Sequence, residues 1–136
     1  MERLLNLDCN VREYSPSNLA FIGDSVFEIL VRERLVCAGN RPVAELNKEK
    51  VGLVCCKAQA EMIKRIEPLL TEREKEIYKI GRNSHVKSPK NASSSDYHNA
   101  TGLEALFGYL YLNNEIERLR ELYFCTLQGT DGDKNE

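Results

Sequence analysis

Two of the chain's 21 acidic residues stand in surroundings that do not suit a charge. Glu104 lies in NATGLEALFGYLYL, Asn99 to Leu112, whose other members are apolar, small or uncharged. Asp24 lies in LAFIGDSVF, Leu19 to Phe27. On a helix, the neighbours three and four positions away are Ala20, Phe21, Phe27 and Glu28 for Asp24, and Ala100, Thr101, Phe107 and Gly108 for Glu104. None is a cation, so neither acid has the i, i+4 partner that usually accompanies a helical carboxylate. Burying an isolated carboxylate costs several kcal/mol, and such a group shifts its pKa, reaches a distant cation or binds a metal. Two such acids on two helices of one small bundle suggest a shared answer. Their oxygens suit Mg²⁺ or Mn²⁺, which bind through one or two carboxylates completed by water and substrate phosphates. The ordinary alternative is that each acid points outward from its helix into solvent. Gly23, Gly102 and Gly108 flank the two acids, each costing about 1 kcal/mol of helix stability relative to Ala, and suggest close approach of another helix or a ligand.

The elements that must carry these acids read as helices almost throughout. Ser15-Pro16 has the chemistry of an N-cap and first-turn proline, and Leu19, Ile22, Val26, Ile29, Leu30 and Val36 recur at helical spacing up to Gly39-Asn40. This predicts a long, mostly buried helix. A second helical run extends from Val43 to Ile66, with a break near Gly52, and Pro68 ends it. Thr71-Glu72-Arg73-Glu74 reads as a capping box for a short helix that closes at Gly81. Residues 82–97 lack an apolar period and read as a long surface loop. Helices over 99–112 and 114–127 follow, the latter opened by an Asn114/Glu117 cap, and the fold class is all-α. Residues 1–128 form one expected domain and 129–136 a disordered polar tail.

Composition narrows the class of protein. A chain of 136 residues, 42% hydrophobic and 29% charged, suffices for one packed core. No uninterrupted apolar segment approaches membrane-spanning length, and five cysteines without a CxxC pair suit reduced thiols better than disulfides or zinc. A soluble, cytoplasmic protein is expected. The net charge of −2 conceals an asymmetry: residues 77–95 contain no acid but include Lys79, Arg82, Lys87 and Lys90. A cationic segment on an acidic protein is a place for a polyanion, although solvated charge is the ordinary reading of such a run. His85 and His98 take no assigned role.

Phe21-Ile22-Gly23-Asp24-Ser25-Val26 followed by Glu28 resembles the signature helix of the ribonuclease III catalytic domain. Leu103-Glu104-Ala105-Leu106-Phe107-Gly108 resembles that domain's second catalytic helix. Lys57-Ala58-Gln59-Ala60-Glu61, Gly81-Arg82-Asn83, Pro89-Lys90-Asn91 and Thr101-Gly102 extend the likeness to the short Mini-III branch, over most of residues 15 to 128. The resemblance implies a helical homodimer, pairing through the first-helix motif, that hydrolyses double-stranded RNA with Mg²⁺ and leaves 5′-phosphate and 3′-hydroxyl ends. It implies as substrate the base-paired stem at the ends of precursor 23S ribosomal RNA, cut in the maturing large subunit. Asp24 and Glu104 would be the catalytic, metal-binding carboxylates, with Arg82, Asn83, Lys87 and Lys90 contacting RNA. The larger ribonucleases III carry further acids where this chain has Ser17, Ala20 and Thr101, which points to one well-held Mg²⁺ here, with any second ion arriving only with substrate. Two other readings are a catalytically silent RNA-binding or dimerisation module of the ribosome and an unrelated helical interaction domain.

Overall fold

Ser15 accepts a hydrogen bond from the Asn18 N–H at 3.2 Å, and Pro16 supplies a first turn that needs no donor. From this start α1 (Pro16–Ala38) runs for 23 residues. The structure, a computed structural model, describes residues 2–84 and 93–127. Among them α2 (Val43–Val54), α3 (Cys56–Ile66), α4 (Glu72–Arg82), α5 (Ser94–Leu112) and α6 (Ile116–Thr126) follow α1, with short 3-10 turns at Val11–Glu13 and Glu67–Leu69 and no strand. The all-α expectation is met.

α5 is the axis of the fold. Leu103, Leu106, Phe107 and Leu110 are fully buried, and α1, α3 and α4 pack around them. Phe27 of α1 meets Phe107 of α5 and Tyr123 of α6 at ring separations of 5.8 and 6.1 Å, closing an aromatic cluster. Polar ties fix the outer helices. Thr71 and Glu74 form the expected capping box, and Glu74, buried on α4, receives two bonds from Arg118 of α6 at 2.9 and 2.8 Å. Arg65 of α3 donates to the Thr126 carbonyl of α6 at 2.8 Å, and Lys50 of α2 pairs with Glu28 of α1 at 3.2 Å.

The structure differs from the sequence reading at four places. The second helical run breaks at Cys55, whose backbone is extended, and Gly52 stays helical. α5 starts at Ser94, because Ser93 accepts from the Asp96 N–H at 3.0 Å and caps a turn that had read as loop. Asn114 does not cap α6: its φ of 58° is left-handed and its N–H bonds back to Tyr111, so it closes α5 while Glu115 opens α6 without a side-chain bond. α1 is less buried than its spacing implied. Leu19 and Val26 are buried with Phe27, Val31 and Leu35, whereas Phe21, Ile29 and Val36 are exposed.

Candidate active site

Asp24 and Glu104 meet because the helices that carry them touch without side chains between them. A Cβ on Gly23 would lie 1.7 Å from the Glu104 carbonyl oxygen, and one on Gly108 would lie 2.0 Å from that of Leu19. Only glycine permits this approach. Gly102 serves α4 in the same way, with the Tyr78 ring 2.6 Å from where its Cβ would stand. The expectation that these glycines mark close approach holds, and the approaching groups are protein.

The two acids are not equally buried. Glu104 is half-buried, while Asp24 is exposed, so the expectation of two stranded acids holds for one of them. Burial, then the charge of Asp24, pushes the Glu104 carboxyl up to about 8, against a smaller opposing contribution from its bond with Gln59. Two carboxylates so placed cannot both ionise cheaply unless a cation joins them. The Cys56 thiol is also raised, by burial and next by the charge of Glu104.

Around the acids, Ala20 is buried and Thr101 turns its hydroxyl onto the Tyr97 carbonyl at 2.9 Å, so neither position offers a ligand oxygen outward. Among the described residues no group of three or more His, Cys, Asp and Glu gathers. The donor set therefore fits a hard cation that takes one or two carboxylates and keeps several waters, as Mg²⁺ does, and does not fit an all-protein cage.

Gln59 was missed as a site residue. It is 2% exposed, and its Nε2 donates to Glu104 Oε2 at 3.2 Å and to the Val54 carbonyl at 3.0 Å. The signal was present, since Gln59 falls in phase with Met62, Ile63 and Ile66 on the buried stripe of α3. Among the described residues, its Oε1 and the Nδ1 of His98 are buried without a hydrogen-bond partner.

The expected RNA-contacting residues are placed in part. Arg82 and Asn83 stand at the end of α4, with the Arg82 guanidinium 5.5 Å over the Tyr78 ring and its Nε donating to Asn83 at 3.4 Å. Gly81 beside them packs against Thr101, Gly102 and Ala105, the turn that bears Glu104. Lys87 and Lys90, with His85, lie outside the described residues. Asn83 also lines an open groove of about 880 Å³ with Pro16, Arg73, Lys79 and Ser84, which includes neither acid.

Residues 17–115 match the family model of the Ribonuclease III domain. The chain belongs to the ribonuclease III family. Within that family it is similar to proteins named Mini-ribonuclease 3. The one from Thermoanaerobacter sp. (strain X514) is 47% identical over 119 residues, which span 87% of this chain and 84% of the relative. The one from Streptococcus pneumoniae is 42% identical over 84% of this chain and 91% of its own. A crystal structure of a Fusobacterium nucleatum protein superimposes with a TM-score of 0.80 at 31% identity, covering 90% of this chain and all of that one. The ribonuclease III match spans both acid-bearing helices from Asp24 to Glu104. No helix among the described residues is long and apolar enough to cross a membrane.

Proposed function

We propose that this chain is an endoribonuclease that hydrolyses phosphodiester bonds in double-stranded RNA with Mg²⁺, leaving 5′-phosphate and 3′-hydroxyl ends. The observation that carries this reading is the juxtaposition of Asp24 and Glu104 across a glycine-lined helix contact, with Glu104 pushed up to about 8 beside its neighbour. Membership of the ribonuclease III family supports it. The likeness to proteins named Mini-ribonuclease 3 extends the proposal to the stem of precursor 23S ribosomal RNA, processed on the precursor of the large ribosomal subunit in the cytoplasm, by a homodimer whose two sites address two strands.

Asp24 and Glu104 are the residues that would hold the cation, with Mn²⁺ able to substitute. Bound there, Mg²⁺ supplies Lewis acidity and offsets the charge that develops on the phosphate during displacement. Glu104 must release its proton to serve as a ligand, so cation uptake near neutrality is coupled to proton loss. Asp24, exposed, is the acid that incoming RNA meets first. Arg82, held over Tyr78, and Asn83 would contact phosphates or 2′-hydroxyls, and Lys87 and Lys90 would add charge from the adjoining basic segment of the sequence. Such contacts read A-form shape more than sequence.

The test is cleavage of a long double-stranded RNA, with and without Mg²⁺, by the native protein and by Asp24→Asn and Glu104→Gln. Mg²⁺-dependent cutting is expected from the native protein, with a loss of about 100-fold or more in each variant. Native protein that binds the RNA and leaves it intact would favour the silent-module reading instead.

A further inference from the structure

Gln59 occupies a core position and carries an amide there. Met62, Ile63 and Ile66 share its face of α3, and its own exposure is 2%. Both acceptors that Nε2 reaches belong to other parts of the chain's architecture. Val54 is the last residue of α2, so its carbonyl is one of those that a helix end leaves without an intrahelical donor. Glu104 belongs to α5. Rotating the amide by half a turn would set Oε1 against the Val54 carbonyl, which can only accept, so that carbonyl fixes its orientation. That orientation leaves Oε1 buried and, among the described residues, unpartnered. A side chain present for packing alone would be better replaced by leucine or methionine, which strand no oxygen. The contact with Glu104 accounts for what packing does not.

We propose that Gln59 is a positioning residue that holds Glu104 turned toward Asp24, so that the two carboxylates present one cation site. This rests on the reading of Asp24 and Glu104 as that site. Gln59 is not a ligand, because it offers Glu104 a donor and has its own oxygen buried. It restrains a flexible glutamate before the cation arrives, and through Val54 it ties that restraint to the break between α2 and α3.

The experiment measures Mn²⁺ binding by electron paramagnetic resonance for the native protein and for Gln59→Met, which keeps the length and loses the donor. Melting of both is recorded in EDTA. Native binding with affinity weakened about tenfold or more in Gln59→Met is the expected result. Unchanged affinity, whatever the melting temperature, would make Gln59 a structural clip and overturn the inference. No binding by the native protein would overturn the cation-site reading itself. Should Gln59→Met fail to fold, the side-chain amide resonance of Gln59 in the native protein is followed by ¹⁵N NMR during Mg²⁺ titration. It is expected to shift in step with cation binding, and a resonance that stays fixed while Mg²⁺ binds overturns the inference.

Discussion

At neutral pH the Glu104 carboxyl of the cation-free protein holds a proton, because burial and the Asp24 charge push it from 4.5 to about 8. The unfolded chain gives up that proton at the ordinary pKa. Between the two values the folded state binds more protons, so stability falls as pH rises through the window and levels off above it. Melting in EDTA is expected to decline from about pH 5 to about pH 8, and Glu104→Gln to flatten that decline. Glu74 has the opposite sign. Burial opposes its charge, but bonds from Arg118 and the Thr71 N–H outweigh burial and hold the carboxyl below its usual range. Its contribution is present above the unfolded pKa and is lost on acidification. Arg118→Met leaves that buried carboxylate unpaired and is expected to cost about 3–5 kcal/mol in urea denaturation at pH 7. Both acids of the proposed site stood out in the sequence because local spacing withheld their partners, although only Glu104 is partly buried. Gln59 was not, since a polar residue on an apolar stripe is visible only once the stripe's phase is known.

At the scale of the element, two glycines inside helices have opposite meanings. Gly23→Ala would drive a methyl into the Glu104 carbonyl and is expected to destabilise by about 3 kcal/mol. Gly52→Ala meets nothing within 4 Å and is expected to stabilise α2 by about 0.5–1 kcal/mol. Denaturant midpoints of the two variants check the pair, and a shift of the same sign in both would contradict this contact geometry. The sequence placed the helices well where caps were chemical, as at Ser15 and Thr71. It misplaced the break near Gly52 because a glycine inside a helix looks the same whether it ends the helix or merely weakens it. It misread Ser93 and Asn114 for a related reason: Ser in a polar run and Asn after a helix each have two roles, and backbone dihedrals decide between them.

At the scale of the whole molecule, one side of α1 that carries three large apolar side chains stays open among the described residues. Phe21, Ile29 and Val36 are 82%, 53% and 59% exposed and fall within one stripe of the helix. The periodicity had assigned Ile29 and Val36 to the core because it reports that a face is apolar and not which neighbour covers it. As the proposed homodimer would bury this stripe, sedimentation should find a dimer for the native protein and a monomer for Phe21→Asp. RNA binding belongs to this scale as well. Replacing Lys87 and Lys90 together by Ala is expected to weaken binding and to flatten the salt dependence by up to about two units of slope. An unchanged slope would remove the basic segment from the interface.

The bare contact between α1 and α5 also bears on redesign. Where Gly23 meets the backbone at Glu104, no rotamer is available to absorb a change in spacing. Volume-conserving swaps at Leu106, Leu110 or Ile63 can therefore alter melting behaviour while the backbone spacing of the two helices is kept. A designer altering the proposed cation site would have to exchange an acid, add a ligand at Ala20 or Thr101, or change Gln59, because the backbone contact offers no gradual adjustment.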